Sequence, residues 1–322
     1  MRIGLTAYGT VFSMGMNPQA GRPRITALQL LERAQSSGLV GAELPAVLLE
    51  GEDEAAVARY ARDHQLFLNL ATGGYDPEKL AKTLELGARL GATTVRTVVG
   101  GAQIGGDRRL IADRWPAFLE EVLRGLKAAT QVAERVGVNL AVENHQDLAS
   151  EELLWLCESI GSARFGITLD TGNPLATAEE PIDFFERVGP HIKNVHLKDY
   201  WIFPTDEGYR LTRSPIGQGV IDFPQLFRIV TAFHPDMTMS LEMGALEARH
   251  IRVLADDYWP AYPPRSAAQL AQTLRFVYTH TNHANDWQTP FERNEPVEAI
   301  VAYEEQQLAQ SLAYIKPFMD AQ

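Results

Sequence analysis

The sequence predicts an α/β protein, a (β/α)8 TIM barrel with a C-terminal helical extension. Short apolar runs alternate along the chain with longer amphipathic stretches, and eight such runs occur. They are rich in Val, Ile, Leu and Phe and lack the clean in–out alternation of a half-exposed sheet, which is the pattern of strands buried on both faces. Eight such strands separated by helices close into a parallel barrel. With 322 residues, 45% of them hydrophobic, the chain is long enough to bury a large core.

Taken in order, the first strand is expected at 3–6 and is followed by a helix at 25–37. The second strand, 41–44, leads to a helix at 54–64. The third, 67–70, leads to 78–90, opened by Asp76-Pro77 and closed by Gly91. The fourth, 94–98, leads to 115–135, closed by Gly137, and the fifth, 139–142, to 150–160. The sixth, 165–169, precedes a helix at 182–188, and the seventh, 192–197, precedes one at 223–232. Between those last two lies an aromatic stretch, 200–204, that reads as a loop. The eighth strand is 239–241. Beyond Glu242, helical patterns recur at 267–279 and 297–315. The first reads as the eighth barrel helix and ends the barrel at about 280. The rest, 281–322, reads as an extension for packing or oligomer contact within one domain. A dinucleotide-binding reading is weaker, because Gly-Gly-Ala-Gln-Ile-Gly-Gly at 100–106 lacks the required spacing.

Composition removes several function classes. There are 29 basic residues against 41 acidic ones, a net charge of −12, so the surface repels phosphate backbones and anionic lipid. A nucleic-acid binder or a polybasic membrane protein is not expected. The single cysteine, Cys157, excludes an internal disulfide and a Cys-rich zinc site, and fits a reducing compartment. No run reaches the roughly 20 apolar residues of a membrane span, and no long apolar leader follows Met1. A cytoplasmic location is the expectation.

Four residues stand where strands five to eight stop: Glu143, Asp170, His196 and Glu242. In a (β/α)8 barrel those ends converge on one mouth, where catalysis is placed. Three carboxylates aimed at one small volume repel each other unless a cation lies among them. With one imidazole added, the set is a mostly oxygen site for a divalent metal. Such ligation favours Mn2+, with Mg2+, Co2+ or Zn2+ as alternatives.

These segments resemble the xylose isomerase-like superfamily, the sugar phosphate isomerase/epimerase group. The matching runs are Val142-Glu143-Asn144-His145, Leu169-Asp170-Thr171-Gly172-Asn173, Val195-His196-Leu197-Lys198-Asp199, Gly217-Gln218-Gly219-Val220-Ile221-Asp222-Phe223 and Ser240-Leu241-Glu242. The resemblance implies that Glu143, Asp170, His196 and Glu242 are the metal ligands. It leaves the reaction open among isomerases, epimerases, dehydratases, decarboxylases and endonucleases. Ketose epimerases of this group carry a substrate-binding His three residues after the Asp ligand, where this chain has Asn173. An amide still binds a hydroxyl, so Asn173 is retained as a substrate-binding candidate, but ordinary ketose epimerisation is put in doubt.

A metal that chelates an adjacent carbonyl and hydroxyl stabilises an enediolate, from which isomerisation, decarboxylation or β-elimination follows. His145, two residues past Glu143, is the candidate for proton transfer, with a near-neutral pKa expected, against the plainer reading of a surface-loop histidine. The resemblance to epimerases implies that Glu143 or Glu242 doubles as a base through a free carboxylate oxygen. Lys198 either holds a substrate hydroxyl or carboxylate or pairs with Asp199 behind the ligands. Arg96, a charge within an apolar strand, either binds a substrate carboxylate or pairs with Glu43. The aromatics Tyr200, Trp201, Phe203, Tyr258, Trp259 and Tyr262 either wall off the metal or form a dimer interface. Cys157 reads as core.

The expected activity is a metal-dependent lyase on a 3-oxo sugar derivative. Two lyase types of the superfamily resemble the pattern: a 3-oxo-isoapionate decarboxylase and the catalytic subunit of a C-glycoside deglycosidase, which works with a small partner. A keto-sugar or inosose isomerase, epimerase or dehydratase is the alternative. The expected partners are a keto-sugar or sugar-acid substrate and a second copy or small second subunit. Endonuclease chemistry is disfavoured by the charge of −12.

Overall fold

The computed structural model describes residues 1–284 and 286–320; positions 285, 321 and 322 of the expected extension lie outside the described residues. In chain order the main elements are β1 (Arg2–Thr6), α1 (Ala27–Ser36), β2 (Gly41–Pro45), α2 (Glu54–Asp63), β3 (Phe67–Ala71), α3 (Pro77–Leu90) and β4 (Thr94–Thr97). Then come α4 (Trp115–Val136), β5 (Asn139–Glu143), α5 (Ser150–Ile160), β6 (Phe165–Asp170), α6 (Pro181–Val188) and β7 (Ile192–Leu197). The chain continues with β8 (Asp199–Thr205), β9 (Gly208–Ser214), α7 (Phe223–Phe233), β10 (Thr238–Leu241), β11 (Arg249–Ile251), α8 (Ala267–Thr279) and α9 (Val297–Asp320).

Eight strands close a barrel in the order β1-β10-β7-β6-β5-β4-β3-β2, and every neighbouring pair is parallel. The expected TIM barrel is therefore the observed one. Its helices begin and end where the side chains permit. Asp76 caps α3 by accepting from the Lys79 amide, Pro77 takes the first turn, and Gly91 closes it in the left-handed region at φ 76°. Thr26 and Gln29 form a reciprocal capping box on α1.

Two expectations are corrected. The stretch read as an aromatic loop is β8, which pairs with β9 as a hairpin, and β11 adds to β9 to make a separate three-stranded antiparallel sheet. Its buried face, with Tyr200, Ile202, Tyr209 and Leu211, forms a second apolar cluster with Leu175, Tyr258, Tyr262 and Val277. The second correction concerns the ring of helices. Helix α8 packs on this cluster, and its Thr273 hydroxyl donates to the Ala178 carbonyl. It is α9 that lies between α7 and α1. Phe318 meets Phe227 at 5.1 Å between ring centroids, and Glu305 pairs with Arg33 at 2.6 Å. The apolar face of α9 is the one that continues the barrel core through Leu308 and Ile315. Among the described residues, no helix is long and apolar enough to cross a membrane.

Candidate metal centre and active site

Parallel strands present alternate residues to the barrel interior, and here the interior carries a polar column. Asn69 on β3 donates to Asn194 on β7 at 3.1 Å, and Asn194 donates to Glu43 on β2 at 2.9 Å. The same Glu43 Oε2 lies 2.9 Å from His196 Nε2. That contact orients the imidazole so that Nδ1 faces the strand ends, the arrangement by which a carboxylate fixes a metal-ligating histidine.

Glu143 ends β5, Asp170 ends β6, His196 lies next to last in β7, and Glu242 follows β10. All four are buried, and each offers one potential ligand atom, the four lying within 4.8 Å of one another. The sequence-predicted quartet is thus brought together. Nδ1 of His196 stands 2.6 Å from Glu242 Oε2 and 3.6 Å from Glu143 Oε2. Yet among the described residues His196 Nδ1, Glu242 Oε2 and both oxygens of Glu143 lack a hydrogen-bond partner of acceptable geometry. Buried polar atoms without partners are costly. Several converging on one point fit a divalent cation better than a hydrogen-bond network.

Electrostatics agree. Burial pushes the Glu143 and Asp170 carboxyls up, each with other acids nearby. Against the same burial, Lys198 and His196 hold Glu242 well below the usual carboxylate range. Against its own burial, Glu43 and Glu242 drive the His196 imidazole well above its ordinary value. A cation among these groups removes the reason for each carboxyl to hold a proton.

The remaining candidates are placed as follows. His145 is exposed to a cavity of about 660 Å3 that Glu143, Glu242, Arg96 and Tyr8 also line. Its pKa is not near-neutral: desolvation by the surrounding walls, then the charges of Lys198 and Arg96, push it down to about 4. At neutral pH it is an uncharged imidazole. Lys198 does not pair with Asp199; its ammonium bridges Asp170 Oδ2 at 2.5 Å and Glu242 Oε1 at 2.9 Å. It is buried and does not line the cavity. Arg96 lines the cavity, but its guanidinium already spans Glu43 at 3.3 Å and Glu143 at 3.2 Å. The bidentate face expected for a substrate carboxylate is therefore engaged. Asn173 is buried away from the cavity, its amide oxygen accepting from Gln146 at 3.2 Å.

Asp199 has a different role. Its carboxylate accepts amide hydrogens from Tyr200, Gly217, Gly219, Val220 and Ile221, all at 2.9–3.1 Å. A Cβ on Gly219 would stand 2.3 Å from Asp199 Oδ1, which explains the glycine in that run. The aromatics Tyr200, Tyr258 and Tyr262 belong to the small sheet's core and do not line the cavity. Cys157 is buried and free, as core. Sequence reasoning missed Tyr8, Arg213 and Arg249 on the cavity wall and the role of Glu43 behind His196.

Comparison with known proteins agrees with the barrel fold. A family model described as xylose isomerase-like TIM barrel matches residues 31–276. The 3-oxo-isoapionate decarboxylase of Pectobacterium atrosepticum is 24% identical over 293 residues, covering 88% of this chain and 98% of that protein. The crystal structure of 3-keto-D-glucoside 4-epimerase YcjR from E. coli aligns with a TM-score of 0.59 at 16% identity, over 87% of this chain and 99% of that one. The IOLI protein, solved with a bound zinc atom, aligns with a TM-score of 0.54 at 16% identity, over 88% and 100% of the two chains.

Proposed function

Because the chain belongs to the xylose isomerase-like TIM barrel family, we propose that it is a divalent-metal-dependent lyase acting on a 3-oxo sugar derivative. Decarboxylation of a 3-oxo sugar acid such as 3-oxo-isoapionate is the favoured form, and cleavage of a 3-oxo C-glycoside is the other. The observation that carries the reading is the buried quartet Glu143, Asp170, His196 and Glu242, whose unpartnered atoms converge beneath the cavity. The decarboxylase from P. atrosepticum, matched over nearly its whole length, supports the choice of reaction.

The quartet is assigned to Mn2+, with Mg2+, Co2+ or Zn2+ as alternatives, and such an ion supplies Lewis-acid polarisation of a substrate carbonyl. The chain's own residues do the rest. Lys198 pairs with Asp170 and Glu242 and opposes the effect of burial on them, and Arg96 does the same for Glu143 and Glu43. Val98, Ile104 and Leu246 give the cavity apolar wall. Loss of CO2 demands one proton at the carbon left behind. His145, neutral and on the cavity wall, relays that proton from water through its two ring nitrogens.

One observation favours a second reading. Glu143 and Glu242 both reach the cavity, and two carboxylates suit proton exchange in a keto-sugar or inosose isomerase, epimerase or dehydratase. Proton NMR in D2O separates the two, using 3-oxo sugar acids, 3-oxo C-glycosides and free ketoses with the Mg2+- or Zn2+-loaded protein. A shortened sugar or a released aglycone is the expected result. Deuterium in an intact isomer would replace the lyase by an isomerase.

A further inference from the structure

The cavity has a second wall, which the barrel does not supply. Arg213 lies next to last in β9 and Arg249 opens β11, and both line the cavity that Glu143 and Glu242 reach. In the antiparallel pairing Arg249 stands opposite Leu211. Arg213 is two residues beyond Leu211, so the two arginines share one face of the sheet as diagonal neighbours. Both are buried, at 7% and 6% exposure.

Their charges are poorly matched. Arg213 has no ion-pair partner among the described residues; its Nη1 donates to the Gly244 carbonyl at 2.8 Å. Arg249 has one, Glu247 at 3.2 Å, whose side chain is 41% exposed. The Nε of each is buried without a partner. Burial and the neighbouring Arg249 pull the Arg213 guanidinium below its ordinary value. Two adjacent buried cations are unfavourable unless an anion meets them. Arg96, by contrast, is already neutralised by two glutamates.

We propose that Arg213 and Arg249 form the receptor for an oxyanion of the substrate, a carboxylate, so that the enzyme selects sugar acids over neutral sugars. This rests on the reading of the cavity as the substrate site, and it deepens that reading by naming the substrate's charge. Planar guanidinium groups with free N–H edges match a carboxylate. A phosphate ester has the same recognition chemistry, and the test separates them.

The test is calorimetric titration of the Mg2+-loaded protein with D-ribose, D-ribonate and D-ribose 5-phosphate. D-Ribonate is expected to bind about 10- to 100-fold tighter than D-ribose, the range for hydrogen bonds to a charged group. Arg213→Met and Arg249→Met should each erase most of that preference while metal content by elemental analysis is unchanged. Arg213→Lys, which keeps the charge, should retain part of it and covers the case of a Met variant that fails to fold. Equal binding of ribonate and ribose overturns the proposal. So does a preference that survives both Met variants, since the metal would then be reading the carboxylate. Tighter binding of the phosphate, lost in the same variants, overturns the carboxylate assignment. If no compound binds and no metal loads, the cavity itself is not the substrate site and the receptor falls with it.

Discussion

The barrel mouth and the three-stranded sheet beside it face one cavity with opposite chemistry. The barrel brings four acidic side chains, Glu143, Asp170 and Glu242 at strand ends and Glu43 from within β2, around one imidazole, deep and interlocked by Lys198 and Arg96. The sheet brings Arg213 and Arg249 to the same cavity, beside an apolar core tied by Tyr209 and Tyr258 to the carbonyls of Leu175 and Ala176. Each region does what its architecture allows. Converging parallel strands concentrate like charge and call for a cation. An added hairpin, free of the barrel's symmetry, contributes charge of the opposite sign. In the proposed enzyme, the first region holds the metal and the second selects the substrate.

Perturbing one region at a time tests that division. Asp170→Ala should abolish stoichiometric Mn2+ binding by elemental analysis, and all turnover with it. Retained stoichiometric metal would show that the quartet is misassigned. His145→Ala should leave metal content intact and slow turnover by about 10²- to 10⁴-fold; an unchanged kcat would remove the imidazole from the reaction. Leu211→Ala empties part of the sheet's core and should cost about 2–5 kcal/mol in thermal or denaturant unfolding. Metal content in that folded variant should not change, and a loss of metal would mean that the two regions are one cooperative site. Glu43→Gln keeps the shape behind His196 but removes its charge. Metal affinity should fall about 10- to 100-fold, and an unaltered affinity would leave the imidazole's orientation to packing alone.

The two regions also differed in how readily the sequence disclosed them. Barrel strands such as Ile192–Leu197 are rich in apolar residues, and the four candidate ligands sit where such runs stop, so the strands and the quartet could be read together. The hairpin hid behind its composition. Pro204 and the charged Lys198-Asp199 stand at the two ends of its first strand, although Tyr209 and Leu211 alternate with Arg210 and Thr212 in the period of a strand. Arg213 and Arg249 are 36 residues apart, and only the register of β9 with β11 makes them neighbours. The shift of His145 to about 4 was equally hidden, because it comes from walls and charges contributed by other strands. The eighth helix was misplaced for a related reason. Periodicity marks helices at both Ala267–Thr279 and Val297–Asp320, but it does not say which of them the barrel will take.

That choice of helix has a consequence for the order of assembly. The Arg33–Glu305 pair joins positions 272 residues apart. The buried Glu304, one residue earlier on α9, accepts the amides of Phe12, Ser13 and Ala245 from the loops that follow β1 and β10. During synthesis, helices α1 to α8 and every described strand leave the ribosome before this clasp exists. Contacts of such long sequence separation form late and slowly. The nascent barrel therefore carries an open seam between α7 and α1, with Phe223 and Phe227 uncovered, until α9 arrives. Pulse-labelled refolding should find protection at that seam last, and chaperone dependence should concentrate there.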